Sequence, residues 1–404
     1  MPTSPDLPAP NVLPKLKFLP KLNILQVIPE LDAGGAERTT VDVAKGILAA
    51  GGKAVVATRG GRLQSQIEEA GGTVITLPVH SKNPLTMLLN IFRLRRIIRT
   101  HDIDLIHVRS RAPAWSALAA ARLTGISYVT TYHGTYNAKS SLKRFYNSGM
   151  ARGDQVIANS DFIAARIQDQ HAGLATNLTI IPRGTDLAVF DEAAIDEPRK
   201  ETLRKTWSIE DNTAPLILLP GRLTAWKGQG VLIDAAAELV QRGIEDFMVI
   251  FVGDPQGRDD YVKSLWDKIR DEDLSEKVRL AGHCSDMPAA MALADIVVSA
   301  STDPEAFGRI AVEAQAMKRI IIASDHGGAE ETVQVGANSR TGWRVKPGDA
   351  GALAGALEAA LKLPREEKQK VVERGRENAK TFSVEAMVAS TLEVYGRAVD
   401  QTDG

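Results

Sequence analysis

Residues 22–60 read LNILQVIPELDAGGAERTTVDVAKGILAAGGKAVVATRG. LNILQVIP (22–29) is a short apolar run, as a buried strand requires. DAGGAERTT (32–40) is a glycine turn, VDVAKGILAAG (41–51) has helical spacing with a glycine stop, and KAVVATRG (53–60) is a second apolar run. Strand, turn, helix, strand is the unit of a parallel sheet covered on both faces. The alternation continues through TVITLPV (73–79), a helix over 84–100, DLIHVRS (104–110), a helix over 112–124, YVTTYHG (128–134) and QVIANS (155–160). The second half repeats the plan with APLILLPGRL (214–223), the helix QGVLIDAAAELVQRG (229–243), FMVIFVGD (247–254), KVRLAGHC (277–284), DIVVSAS (295–301) and RIIIASD (319–325).

The expected fold class is therefore α/β: two Rossmann-like, doubly wound parallel-sheet domains facing a central cleft. Such sheets bind ligands beyond their strand carboxyl ends. The expected divisions are a flexible proline-rich tail over 1–21, a first domain over 22–195 and a second over 196–383. A final helix over 384–404 is expected to cross back to the first domain. The charged, weakly periodic stretch at about 191–212 reads as the linker.

Length and composition are those of a soluble globular chain: 404 residues, 44% hydrophobic and 25% charged. The single cysteine, Cys284, excludes an intramolecular disulfide framework and fits a reducing, cytoplasmic setting. No apolar run reaches the ~18 residues of a membrane-spanning helix, and the N-terminus lacks the apolar core of a signal peptide. Net charge is −1, but residues 1–200 carry 24 Lys+Arg against 17 Asp+Glu, hence +7, and residues 201–404 carry 25 against 33, hence −8. The first half is expected to face something anionic; a nucleic-acid partner is not expected.

Two stretches carry chemistry. In GRLTAWKG (221–228), Arg222 and Lys227 follow a strand and stand near a helix start, a pattern that suits a pyrophosphate: a bidentate guanidinium, a mobile ammonium and backbone N–H groups. In PEAFGRIAVE (304–313), Glu305 and Glu313 are eight positions apart, roughly 12 Å along a helix axis. Paired glycosidase carboxylates stand about 5–9.5 Å apart across one bond. The wider spacing suits two distant parts of one long ligand. Backbone N–H groups at 307–310, where a helix begins after Gly308, can face a phosphate or sugar oxygen.

His133 follows a strand and precedes Gly-Thr, a place where sites form; a buried, satisfied histidine is the alternative. His101, His107, His283 and His326 have no metal-ligand spacing with one another or with Cys284, so no metal is expected. Asp102 and Asp104 imitate a metal-binding Asp-x-Asp, yet they read as a loop entering a strand, and Arg222 and Lys227 already supply positive charge for a leaving group.

Taken together, GGAER (34–38), HGTY (133–136), IANS (157–160), GRLTAWKG (221–228) and EAFGRIAVE (305–313) resemble a retaining glycosyltransferase of the GT-B fold, of the family 4 type that includes many lipopolysaccharide-core, capsule and phosphoinositol-mannoside enzymes. The resemblance spans about residues 22–400. It implies that Gly34 and Gly35 form a loop approaching donor phosphate and acceptor, and that His133 lies at the reaction centre. It implies that Arg222 and Lys227 bind the diphosphate. Glu305 would contact sugar hydroxyls beside the Phe307 and Gly308 backbone, with Arg309 adjoining in the donor site. Glu313 would bind the ribose, and Gly282 and His283 would meet the base through backbone atoms. It also implies metal independence, no cofactor beyond the nucleotide-sugar donor, and a glycan or lipid-linked acceptor. IPRGTD (181–186) departs from the commoner pattern by placing Arg183 where Asn is usual.

Cleavage of a nucleotide-sugar bond develops negative charge on the diphosphate. No further carboxylate in these motifs is positioned as a nucleophile, so front-face transfer with retention is expected, the leaving phosphate helping to deprotonate the acceptor. TMLLNIFRLRRIIRT (86–100) interleaves four arginines with leucines, isoleucines and Phe92, the composition of an interfacial helix, and SSLKRFYNSG (140–149) adds Lys143, Arg144, Phe145 and Tyr146. An anionic membrane surface is the expected partner there; a helix packed on the sheet with solvated arginines is the alternative. Two other functions fit the same architecture. A nucleotide-sugar epimerase needs acid and base groups on both faces of a sugar carbon, and the motifs contain no such pair. An inactive nucleotide-sugar binder is disfavoured by the intact His133, Arg222, Lys227 and Glu305. A dinucleotide oxidoreductase is disfavoured because AGGAERTT does not supply G-x-G-x-x-G.

Overall fold

The structure, a computed structural model, describes residues 21–32, 34–136, 140–210 and 213–400. Apart from Lys21, the expected proline-rich tail lies outside them. The chain divides into two compact units, residues 1–184 with 384–404, and residues 185–383.

Unit 1 runs β1 (Asn23–Val27), α1 (Gly35–Ala49), β2 (Lys53–Thr58), α2 (Gln64–Glu69), β3 (Thr73–Thr76), α3 (Pro84–Thr100), β4 (Leu105–Val108), α4 (Arg111–Thr124), β5 (Ser127–Tyr132), α5 (Ser141–Ala151), β6 (Gln155–Ala158), α6 (Asp161–Gln170) and β7 (Leu178–Ile180). Its seven strands are all parallel, in the order β3-β2-β1-β4-β5-β6-β7. β4, β5 and β6 are buried along their whole length, as strands covered on both faces must be. Helix starts follow local chemistry: Asn83 accepts from the N–H groups of Leu85 and Thr86 with Pro84 at the first helical position, and Ser160 accepts from Ile163.

Unit 2 runs α7 (Glu197–Thr206), β8 (Leu216–Pro220), α8 (Gln229–Gln241), β9 (Met248–Val252), α9 (Asp259–Asp271), β10 (Val278–Gly282), α10 (Met287–Leu293), β11 (Ile296–Ser299), α11 (Arg309–Ala316), β12 (Ile320–Ser324), α12 (Ala329–Thr332), β13 (Gly342–Val345), α13 (Ala350–Leu361) and α14 (Arg365–Lys380). Its parallel sheet has the order β10-β9-β8-β11-β12-β13. Leu232 and Ile233 of α8 and Leu353 and Leu357 of α13 pack on one face, and Met291 of α10 and Ala314 of α11 on the other. The order reverses between β8 and β11, where a doubly wound sheet opens its ligand crevice.

The final helix, α15 (Val384–Asp400), belongs to unit 1, where Val388, Leu392 and Tyr395 join the core formed by α1 and the sheet. The division falls at 184/185 and not at the expected 195/196. Thr185 donates its N–H to the Phe382 carbonyl at 2.8 Å, and Leu187 and Phe190 pack on the cluster of Phe307 and Phe382. Nor is the stretch 191–212 simply a linker. It contains a 3-10 turn (Glu192–Ala194) and α7, capped by Asp196, which with the following turn buries Leu203 and Trp207 in the unit 2 core.

Candidate functional site

In unit 2 the chain leaves β8 into Gly221-Arg222 and turns through 225–227 to Gly228, which starts α8. Gly228 has φ +78°, and a Cβ there would stand 1.9 Å from the Ala300 carbonyl oxygen, so only glycine fits this approach of two loops. The approach places Lys227 against the loop after β11. Its ammonium donates to Glu305 Oε1 at 2.7 Å and lies 4.4 Å from the centre of the Trp226 ring. The Ser301 hydroxyl donates to the same Glu305 oxygen at 2.6 Å. Burial pushes the Glu305 carboxyl up, but the Lys227 charge and the bonds from Lys227, Ser301 and Ser299 outweigh it and hold the group below the usual carboxylate range. The Glu305 carbonyl accepts from Gly328 N–H at 2.9 Å, and His326 Nε2 bonds the Ser301 carbonyl at 2.8 Å.

The two expected cations therefore stand in different conditions. Lys227 is countered by Glu305, whereas the Arg222 side chain is exposed, with its backbone carbonyl held by Gln229. The expected diphosphate clamp has one ammonium already paired and one guanidinium in solvent.

Gly308, at φ +76°, ends the loop and starts α11, whose N-terminus no side chain caps. Phe307 is buried and meets Phe382 edge-on, which anchors the loop and leaves only its backbone for a ligand. Glu313, 8% exposed, pairs with Arg309 Nη2 at 3.2 Å. Burial raises its carboxyl, with Glu305 adding repulsion, and Arg309 offsets this only in part. Ser299, Ser301, Glu305, Gly308 and His326 line one small pocket at the carboxyl end of β11 and β12. Gly282, at φ +70°, closes β10 and gives its carbonyl to Gly253 N–H at 2.8 Å; His283 beside it is exposed.

In unit 1, His133 stands just beyond β5. Its carbonyl accepts from Arg183 Nη2 at 2.8 Å, while both ring nitrogens are buried without a partner. Burial first, then the charges of Arg183 and Arg109, lower its pKa well below the usual histidine range, so the ring is neutral at pH 7. The histidine is thus not the satisfied core residue of the alternative reading. Gly34 is extended, at φ −83°, and the space a Cβ would need is taken by the Glu37 carboxylate, 2.0 Å away; Gly35 is the first residue of α1. Of the Asp-x-Asp imitation, Asp104 accepts from the Asn23 N–H at 2.7 Å, a bond at the amino ends of the neighbouring central strands β1 and β4.

The sequence did not single out Ser299, Ser301 or His326. The two serines sit at alternate positions at the end of an apolar strand, a signal that was visible; His326 reaches the site through the fold alone.

The amino-terminal region, residues 33–189, matches the model for Glycosyltransferase Family 4, and residues 200–378 match Glycosyl transferases group 1. A glycosyltransferase crystal structure from Rickettsia africae is 34% identical, covers 93% of this chain with 98% of its own, and superposes with a TM-score of 0.85. Anabaena Alr3699/HepE, solved in complex with UDP and glucose, is 25% identical over 93% of this chain and 99% of its own, with a TM-score of 0.77. A D-inositol 3-phosphate glycosyltransferase of Salinispora tropica is 29% identical over 62% of this chain, and the match spans about half, 52%, of that relative's length. With two parallel Rossmann-like sheets and these matches over both, the chain belongs to the glycosyltransferases of the GT-B fold.

Proposed function

We propose that the chain transfers a sugar from a nucleoside diphosphate sugar to a glycan or lipid-linked acceptor of the cell envelope, with retention at the anomeric carbon. The observation that carries this reading is the switch-point site of unit 2: Lys227, Glu305 and the uncapped start of α11 stand together, with the buried Glu313 about one turn along that helix. Anions favour such a helix start, and a carboxylate suits the paired hydroxyls of a ribose. HepE holds UDP and glucose on the same fold. In the reaction the bond from the anomeric carbon to the diphosphate oxygen breaks, an acceptor oxygen forms the new bond on the same face, and the acceptor proton passes to the leaving phosphate. Arg222 and Lys227 take the developing charge in place of a divalent ion. Calorimetric titration with UDP, GDP and ADP, with and without EDTA, tests this. One nucleotide should bind regardless of EDTA and bind less well to Glu313→Ala. A folded protein that binds none of them refutes the reading.

The acceptor side is read from α3 and α5. Among the apolar residues of α3, Leu94, Ile97 and Ile98 face the core, but Leu85, Leu88, Leu89 and Phe92 are 45–66% exposed. Arg93, Arg96 and Arg99 are exposed along the same helix. On α5, Leu142 and Phe145 are exposed beside Lys143 and Arg144, with Phe145 stacked on Trp115 of α4 at 4.9 Å. Exposed leucines next to solvated arginines suit the headgroup layer of an anionic membrane. No helix among the described residues is long and apolar enough to cross one. Flotation with anionic liposomes at low salt should carry the protein, and Leu88→Asp with Phe92→Asp should leave it behind. Equal flotation of both refutes the membrane contact.

A further inference from the structure

One face of the unit 1 sheet carries a polar row. Strand register puts Gln26 beside His107, His107 beside Val129, and Thr131 beside Ile157. Paired residues of adjacent parallel strands share a face, and so do residues two apart along a strand. Arg109, His133 and Asn159, each two residues beyond a member of this row, therefore follow it past the carboxyl ends of three neighbouring strands, β4, β5 and β6. The inner members are hydrogen-bonded within the fold. Gln26 donates to the Thr40 carbonyl, and His107 joins Tyr395 at 2.5 Å and Thr131 at 2.7 Å. Arg109 donates from Nε to Gln26 at 2.8 Å.

The outer members keep unspent groups. Asn159 is 1% exposed, and neither its amide oxygen nor its amide nitrogen has a partner. Both His133 ring nitrogens and Arg109 Nη2 are in the same state, with Arg109 3% exposed. Native folds leave few buried polar atoms unpaired, because each costs the desolvation of a donor or acceptor. Three on adjacent strand ends, at the edge where such sheets take ligands, mark a binding surface.

We propose that Asn159 and Arg109, beside His133, form a subsite for the hydroxyl groups of a sugar or cyclitol ring. The set offers both donors and acceptors: an amide with each, a neutral imidazole with each, and a guanidinium N–H. Adjacent ring hydroxyls need that mixture, whereas an anion would ask for donors alone. The ring is that of the acceptor or that of the donor's sugar. The assignment rests on the transferase reading and adds two residues outside its motif roles.

The test is Asn159→Leu in the full chain, which keeps the branched heavy-atom shape and removes both polar amide atoms; Asn159→Ser serves if the bulkier leucine does not fold. Thermal unfolding is measured first. Then UDP is compared with UDP-glucose (or GDP with GDP-mannose, whichever base binds), and myo-inositol is titrated separately. The variant should melt no lower than wild type and bind the bare nucleotide equally. It should lose roughly tenfold or more in affinity for the nucleotide sugar if the ring comes from the donor, or for myo-inositol if it comes from the acceptor. A variant that melts lower with ring affinities unchanged, or a wild type for which neither ring adds affinity, overturns the subsite. If wild type binds no nucleotide, the transferase reading fails by itself, and myo-inositol alone judges the subsite: loss in the variant supports it and no change overturns it.

Discussion

At the residue scale the Lys227–Glu305 pair governs unit 2. The pair is largely buried, with side chains 11% and 19% exposed, so screening by water is weak. A donor diphosphate has to compete with Glu305 for the same ammonium. Glu305→Gln removes the competitor and keeps the shape. Bare nucleotide should then bind more tightly, while turnover with the nucleotide sugar falls roughly a hundredfold, the scale of losing one preorganised group. Titration and initial rates on one preparation check both directions; weaker nucleotide binding would refute the competition. Glu313 gives a pH dependence. Its carboxyl is raised by burial, so it loses its charge at a higher pH than an ordinary glutamate. If the ionised form accepts the ribose hydroxyls, nucleotide affinity should decline as pH falls through the range where this raised carboxyl takes up its proton, and Glu313→Gln should bind weakly and keep only the decline that comes from the phosphate itself. Calorimetry across that range decides. Glu305 and Lys227 were both legible in sequence because charged residues at strand ends are conspicuous. Their mutual neutralisation was not, since no spacing rule relates positions 227 and 305.

At the element scale the turn before α8 is the sensitive point. Gly228→Ala must hold a left-handed φ and also clear the Ala300 carbonyl, 1.9 Å from the new Cβ. The loops carrying Lys227 and Ser301 have to separate. A cost of about 1–3 kcal/mol in unit 2 stability should appear as a lower thermal midpoint, together with weakened nucleotide binding. An unchanged midpoint would mean that the loops do not depend on this contact. The inner strands were legible because burial on both faces writes them as continuous apolar runs; the short, partly buried edge strands β7 and β13 lack that signal and were not read. α7 was hidden, because EPRKETLRKT buries only Leu203 and reads as charged linker. In α3 the sequence contains two apolar stripes, one through Leu94, Ile97 and Ile98 and one through Leu85, Leu88 and Phe92. Helical spacing alone does not say which turns to the sheet; packing against α4, with the Ser116 hydroxyl donating to the Met87 carbonyl at 2.8 Å, selects the first.

At the scale of the whole molecule, the chain builds most of unit 1, then all of unit 2, and returns to unit 1 only with α15. Met387, Val388, Leu392, Val394, Tyr395 and Ala398 of that helix are buried in the unit 1 core, and Tyr395 also holds His107 in the polar row. Burying each larger side chain contributes about 1.5–3 kcal/mol, so the helix as a whole contributes on the order of the 5–15 kcal/mol that keeps a domain folded. Unit 2 has its own sheet and two apolar layers formed from residues 185–383. A chain truncated after Ser383 should therefore lose the cooperative unfolding of unit 1 while unit 2 still melts cooperatively. That chain should still bind the nucleotide that wild type binds, because Arg222, Lys227 and Glu313, the side chains assigned to its diphosphate and ribose, lie in unit 2. It should transfer no sugar, because unit 1 carries His133. Scanning calorimetry on the truncated and full-length proteins, followed by nucleotide titration, separates these claims. Two preserved transitions would show that α15 is dispensable to unit 1, and loss of both would show that unit 2 does not stand alone.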